Sequence, residues 1–155
     1  MGTPPNTARP VPISILFYVS RAARPLAVPE LRRLLGGAQV ANRRANITGV
    51  LAYTGQYFAQ ILEGPEAVID ALAERIAADH RHIDFRLLHR ARQPVRDFPE
   101  WSMELIESPQ LETELAALST TAPDDADAVP RTLDRIKREA QWRTVSEQQG
   151  STGVA

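Results

Sequence analysis

The feature that most constrains the fold is an apolar run near the start of the chain. Residues 13–20, ISILFYVS, are rich in β-branched and aromatic side chains and lack the alternation of a strand with one solvated face. Such a run predicts a strand that is buried on both faces. A strand of this kind requires packed structure on each side of its sheet, so the rest of the chain must supply two layers.

The remaining pattern alternates between helices and strands in an order that fits one fold. Apolar residues at helical spacing predict two helices, over residues 29–44 and after Pro65 to near Asp79. Four further segments predict strands, the first two joined as a tight hairpin: residues 48–53, 57–62, 83–88 and 103–106. The order βαββαββ predicts an α+β, ferredoxin-like fold, a five-stranded mixed sheet with both helices on one face.

The segment after Glu107 differs in character. Prolines separate two amphipathic stretches, residues 110–118 and about 126–142, which we expect to be helices. Because both sheet helices lie on one face, we expect these later helices to cover the other apolar face. The predicted organisation is therefore a disordered N-terminus over residues 1–12, a domain over residues 13–107, a helical extension over residues 108–143 and a disordered tail over residues 144–155.

Composition excludes several classes of site and partner. The 155 residues include no cysteine, which excludes disulfide scaffolds, thiolate metal sites and cysteine nucleophiles. A net charge of −1 gives no basic excess for binding nucleic acid or an anionic membrane. No apolar run approaches the roughly 20 residues that span a bilayer, and the proline-rich start does not resemble a signal peptide. We therefore expect a cytoplasmic protein with neither nucleic acid nor membrane as a partner.

Motifs for catalysis and metal binding are also missing. The sequence has no glycine-rich phosphate loop, nucleophile elbow or metalloprotease motif. Its three histidines, His80, His82 and His89, have poor spacing for a shared metal on a helix. We expect no bound metal and no catalytic residues.

Two polar side chains stand inside apolar strands. Tyr18 lies in the first strand, and Gln60 lies in YFAQIL, the third. A buried amide without partners costs about 1–3 kcal/mol, so Gln60 must find hydrogen bonds. The predicted sheet makes these strands central neighbours, which would allow the two side chains to approach each other. Spacing alone favours a satisfied structural amide and a tethered core tyrosine, and Asn42 fits a helix cap.

Five segments resemble the BLUF family of blue-light sensors that use a flavin. They occur in the family's order and spacing: FYVSRA (17–22), NRRANITGVLAY (42–53), FAQILEGP (58–65), RIAADHRH (75–82) and RDFPEWSM (96–103). The resemblance extends from Ile13 to about Ile106 and implies that residues 13–107 form a flavin-binding photosensor domain.

The resemblance implies that FAD binds non-covalently between the two helices, in a ring site that FMN or riboflavin would also fit. Leu34 and Ile76 match the residues that sandwich the flavin ring, and Asn42 matches the asparagine that bonds its amide edge. Gly36 and Gly37, which cost the helix about 1 kcal/mol each, would leave room beside the ring. Four residues match positions that contact or support the ribityl and phosphate region: Arg75, Asp79, Arg81 and His82.

Tyr18 and Gln60 match the photoactive pair of the family. In this pair the phenol gives an electron and a proton after excitation, and the amide rotates or tautomerises, which the sequence does not distinguish. Trp101 and Met103 match residues of the last strand that relay the signal, with simple core packing as the alternative.

The resemblance implies a blue-light photoreceptor that is not an enzyme. About 50 residues follow the sensor segment, too few for a cyclase or phosphodiesterase domain. We therefore expect the signal to pass to an unidentified downstream protein or through a homo-oligomer. Two other functions remain as alternatives, a flavin-dependent oxidoreductase and a cofactor-free ferredoxin-like interaction module.

Overall fold

The computed structural model describes residues 12–120 and 126–150, with side chains described up to residue 143. Within these residues the chain forms a five-stranded mixed sheet, four α-helices and one 3₁₀ turn at Pro109–Leu111. The elements follow in the order β1 (Ile13–Ala22), α1 (Val28–Arg44), β2 (Thr48–Tyr53), β3 (Tyr57–Gly64), α2 (Glu66–Ala78), β4 (His82–Gln93), β5 (Ser102–Glu107), α3 (Glu112–Thr120) and α4 (Ala128–Gly150). This order confirms the predicted α+β fold.

The sheet has the strand order β4-β1-β3-β2-β5. Neighbouring strands are antiparallel except for β5, which runs parallel to β2 at one edge. The predicted pairing of the first and third strands is present, and Tyr18 lies directly opposite Gln60 in the ladder between β1 and β3.

Strand β1 is buried on both faces because its alternate residues contribute to two cores. Leu16 and Tyr18 pack towards α1 and α2, whereas Phe17 and Val19 pack towards α3 and α4. Six buried residues of the C-terminal region join the second core: Leu111, Leu115, Leu118, Leu133, Ile136 and Ala140. The later helices therefore cover the sheet face opposite α1 and α2, as the apolar pattern predicts.

The loop before β5 is fixed by a buried carboxylate at the end of β3. Glu63 is fully buried, and its two oxygens accept hydrogen bonds from the backbone N–H groups of Asp97, at 2.5 Å, and Phe98, at 2.9 Å. Thr48 Oγ1 donates to the same carboxylate at 3.0 Å. These contacts connect the loop before β5 to β2 and β3.

Two boundaries differ from the sequence predictions. Strand β4 extends from His82 to Gln93 instead of ending at residue 88, since the pairing with β1 continues through residues 89–93, which are polar except for Ala91, at the sheet edge. Helix α4 continues to Gly150, beyond the predicted end of the helical extension at residue 143. Residues 1–11 and 151–155, for which we predict disorder, lie outside the described residues.

Candidate functional site

A cavity of about 250 Å³ lies between the sheet and the layer formed by α1 and α2. Its walls are mostly apolar and come from both helices, whereas its floor comes from β1, β2, β3 and β5. Nine of the residues singled out from the sequence line it: Tyr18, Leu34, Asn42, Gln60, Ile76, Asp79, Arg81, His82 and Met103. The fold thus gathers residues that are far apart in sequence around one space.

Arg75 does not belong to this lining. Leu72 and Ile76, one helical turn apart, face the cavity from α2, and Arg75 is rotated by roughly 100° from Ile76 on the same helix. Its side chain is exposed on the outer side of α2. The structure therefore does not place Arg75 in the lining of this cavity.

The two glycines of α1 also lie elsewhere than expected. Gly36 and Gly37 are exposed, and a Cβ atom added at either would meet no atom within 4 Å. They do not line the cavity, whose wall on α1 is formed by Leu34, Leu35 and Ala38. The structure therefore places neither glycine in the lining of the cavity where the ring is expected to bind.

A short chain of hydrogen bonds crosses the cavity floor. The Tyr18 hydroxyl donates to Gln60 Oε1, and Gln60 Nε2 donates to Met103 Sδ at 3.0 Å. All three side chains are buried, with relative exposures of 1%, 7% and 0% in that order. The buried amide of Gln60 is thereby satisfied on both sides, by a phenol on β1 and a thioether on β5.

The environment of Tyr18 keeps its phenol protonated. Burial, and to a lesser degree the negative charge of Asp79, raises the pKa of Tyr18 far above its usual range. The ring of Phe85 packs against Tyr18 with 4.6 Å between ring centroids. Tyr18 is therefore a neutral hydrogen-bond donor to Gln60 at any physiological pH.

The polar end of the cavity is formed by the turn between α2 and β4. Asp79 accepts hydrogen bonds from the backbone N–H and the guanidinium of Arg81, both at 2.9 Å, and these contacts lower the pKa of Asp79. His82 Nδ1 lies 2.7 Å from Ser20 Oγ, and burial lowers the pKa of His82. A neighbouring cavity of about 300 Å³ shares Arg81 with the first and adds Arg24. Arg81 thus lines both cavities, and Arg24 lines the second.

Two amides on α1 contact the backbone of β5. Asn42 Nδ2 donates to the Ser102 carbonyl at 3.1 Å, and Gln39 Nε2 donates to the Met103 carbonyl at 2.7 Å. The sequence analysis missed Gln39. A signal was present, because Gln39 follows Leu35 by four residues and precedes Asn42 by three, which places all three on the buried side of α1.

Met103 and Trp101 point to different cores. Met103 lines the cavity, whereas Trp101 precedes β5 and packs against the core on the opposite sheet face. The Trp101 ring is half-buried and stacks on Phe98, with 5.6 Å between centroids. The two candidate relay residues therefore lie on opposite faces of the sheet, Met103 on the cavity side and Trp101 on the side covered by α3 and α4.

The chemistry of the cavity fits a flat heteroaromatic ring with a polar edge. Leu34 and Ile76 offer apolar surfaces on the two helices, and the amides of Asn42 and Gln60 offer both donors and acceptors. The family model described as sensors of blue-light using FAD matches residues 13–104. The chain belongs to the BLUF family. FAD is the cofactor of this family, and the cavity of this BLUF domain suits its flavin ring.

Known relatives agree with this assignment. Photoactivated adenylate cyclase subunit beta of Euglena gracilis is 32% identical over 130 residues, which cover 79% of this BLUF chain but 15% of that protein. The dark-state structure of BlrB, a BLUF protein, gives a TM-score of 0.65 at 30% identity and covers 83% of this chain and 97% of its own. BlrP1 of Klebsiella pneumoniae with FMN and cyclic diGMP gives 0.60 at 29% identity, over 83% of this chain and 35% of its own.

Two absences apply to the part of the BLUF chain that the structure describes. No helix within residues 12–120 and 126–150 has the length and apolar character needed to cross a membrane. The same residues contain no group of three or more His, Asp or Glu side chains arranged to hold a metal ion.

Proposed function

We propose that this BLUF protein is a blue-light photoreceptor whose photoactive pair is Tyr18 and Gln60, and that it is not itself an enzyme. The observation that carries the proposal is the buried hydrogen-bond chain from Tyr18 through Gln60 to Met103 on the cavity floor. In this chain the Tyr18 phenol can release an electron and a proton. The Gln60 amide, which is hydrogen-bonded to the phenol, can exchange its donor and its acceptor.

Residues around the cavity have separate parts in holding the cofactor. Leu34 and Ile76 would lie against the two faces of the flavin ring, and Asn42 would bond its amide edge. Arg81 and Arg24 border the two adjoining cavities and would attract the phosphate groups of FAD or FMN. Riboflavin lacks those phosphates and would use the ring site alone.

Photochemistry in this site uses the properties of Tyr18. A bound flavin supplies absorption of blue light and, when excited, a strong one-electron oxidant. A phenol is among the easier side chains to oxidise, and loss of an electron makes its proton strongly acidic. Because the Tyr18 hydroxyl already donates to Gln60 Oε1, that proton has a path away from the ring.

The Gln60 amide rearranges after the transfer of the electron and the proton, and this rearrangement outlasts the excited state. After the phenol has released and regained both an electron and a proton, the amide of Gln60 would have rotated or tautomerised and would present a different donor pattern to the edge of the cofactor. A flavin bound here would, with an added hydrogen-bond donor at its carbonyl, absorb at a slightly longer wavelength without a new covalent bond. Met103 and Trp101 then carry the change through β5 towards α3 and α4, and from there to a downstream protein or a homo-oligomer.

An absorption spectrum before and after blue light tests this function. The purified protein should be yellow, release intact flavin on heating and show a reversible red shift without turnover of any substrate. Tyr18→Phe and Gln60→Leu should keep the flavin and lose the shift. Tyr57→Phe is the matched control, since Tyr57 packs against the core on the opposite sheet face.

Two results would contradict the proposal. A colourless protein that does not bind added flavin would reject the photoreceptor function. A normal red shift in Tyr18→Phe or Gln60→Leu would reject the photoactive pair while leaving the flavin site in place. Light-dependent consumption of a substrate would instead favour a flavin-dependent oxidoreductase.

A further inference from the structure

Met103 has a strained backbone at the start of the edge strand β5. Its φ angle is 131°, in a region that residues other than glycine rarely adopt. The register between β2 and β5 shifts at this point, because Gly49 pairs with Ser102 while Val50 pairs with Glu104. Met103 is therefore the extra residue of a β-bulge, and such a conformation persists only where surrounding contacts fix it.

Three side-chain amides hold this bulge from the cavity side. Gln60 Nε2 contacts Met103 Sδ at 3.0 Å, Gln39 Nε2 donates to the Met103 carbonyl at 2.7 Å, and Asn42 donates to the neighbouring Ser102 carbonyl. A thioether sulfur is a weak acceptor and a backbone carbonyl is a strong one. The hydrogen bond from Gln39 to the Met103 carbonyl is therefore stronger than the contact from Gln60 to Met103 Sδ.

We infer that Gln39 is a positioning residue that holds the bulged Met103 against α1 and so limits how far β5 moves when Gln60 rearranges. The link to light rests on the proposed function. Rotation or tautomerisation of Gln60 changes the group that faces Met103 Sδ, but neither alters the hydrogen bond from Gln39 to the carbonyl. A movement of β5 away from α1 would stretch this hydrogen bond, so Gln39 favours the dark geometry of β5 and speeds the return to it.

Hydrogen exchange in the dark tests the structural part of this inference. Gln39→Glu keeps the size of the side chain but removes the donor, and Gln39→Leu removes all polarity. In both variants the amides of residues 103–107 should exchange about threefold faster or more than in the wild type, as expected for the loss of one neutral hydrogen bond. Val40→Ala is the control on the same helix, since Val40 is 51% exposed.

The amides of β1 and β3 serve as an internal reference for folding. Their exchange should be unchanged, because Gln39 makes no described hydrogen bond to either strand. Unchanged exchange at residues 103–107 in both Gln39 variants would overturn the inference. So would equally faster exchange in β1 and β3, or in Val40→Ala, since the effect would then be a general loosening.

Dark-recovery kinetics test the functional part. Gln39→Glu and Gln39→Leu should keep a red shift of wild-type size, because the contact between Tyr18 and Gln60 is intact, and should return to the dark spectrum about threefold more slowly or more. Wild-type recovery in both variants would overturn the role of Gln39 in the photocycle. If the wild type itself shows no shift, the proposed function fails, while the exchange measurement still decides whether Gln39 holds the bulge.

Discussion

His82 lies where the apolar cavity meets the charged turn between α2 and β4. Its ring packs against Phe58, with 4.9 Å between centroids, and its Nδ1 lies next to Ser20 Oγ. Burial is the main reason that the pKa of His82 is lowered, and the charge of Arg81 adds to this while Asp79 opposes it. The residue is therefore neutral in the folded protein under conditions where it would be partly protonated in the unfolded chain.

The neutral state of His82 predicts a pH dependence of stability. Below the unfolded pKa of about 6.5 the unfolded chain binds a proton that the folded chain does not, so the free energy of unfolding should fall as pH decreases. Urea unfolding at pH 7.5 and pH 5.5 should show a larger loss for the wild type than for His82→Gln. His80→Gln, at an exposed position, is the control. An equal loss in His82→Gln would show that another group causes the dependence.

Single residues of the site differ in how far the sequence predicts them. Strand order alone brings Tyr18 and Gln60 near each other, and the ladder between β1 and β3 has them in direct register. Arg75 matches a family motif, yet its position on α2 turns it to solvent. A motif fixes a residue's place along the chain, whereas its direction on a helix depends on which neighbours are buried.

At the scale of helices and strands, the glycines of α1 and β2 differ in the space around them. Gly36 and Gly37 occupy exposed positions of α1 with nothing within 4 Å of an added Cβ. Gly49 in β2 has a φ of 153°, and a Cβ there would lie 1.9 Å from the Ile61 carbonyl oxygen. Sequence patterns reveal all three glycines but not the packing around them, and that packing reverses the expected effect of a substitution.

Alanine substitutions at these positions should therefore have opposite effects. Gly36→Ala and Gly37→Ala should each raise the free energy of unfolding by about 0.5–1 kcal/mol, because alanine favours the helix and fits without a clash. Gly49→Ala should lower it by about 2 kcal/mol or more, since the backbone must shift away from β3. Urea unfolding of the three variants measures both effects. A neutral Gly49→Ala would mean that β2 relaxes without cost.

Element boundaries were hardest to predict where pairing, not side-chain pattern, decides them. The polar half of β4 carries no apolar alternation, and its strand conformation comes from hydrogen bonds to β1. The bulge at Met103 likewise leaves no mark in the sequence, since it results from the shifted pairing of β5 with β2. The positioning role inferred for Gln39 depends on that bulge, because its hydrogen bond is to the Met103 carbonyl.

At the scale of the whole molecule, the C-terminal helices are tied to the sheet by more than apolar contacts. Glu139 on α4 accepts hydrogen bonds from Ser108 Oγ at 2.6 Å and from Gln110 at 2.7 Å. Arg143 donates to the Glu107 carbonyl, the last residue of β5, at 2.7 Å. A displacement of β5 would therefore strain contacts that hold α4 in place.

These contacts predict that light alters the protection of the C-terminal helices. Hydrogen exchange over residues 110–120 and 128–142 should be faster in illuminated protein than in the dark, because rearrangement at Met103 loosens the end of β5. Gln60→Leu, which should not form the red-shifted state, is the control and should show no difference. Equal protection of the wild type in both states would mean that α3 and α4 only cover the sheet and that the signal leaves by another surface.

The division of β1 into two sets of alternate residues has a consequence for protein engineering. Side chains that touch the cofactor cavity and side chains that touch the C-terminal cover occupy separate positions of the same strands. The cover can therefore be redesigned together with the sheet residues beneath it, such as Phe17 and Val19, while Tyr18 and Gln60 stay untouched. The same cofactor-binding side of the sheet could then be combined with different helical covers on the other side.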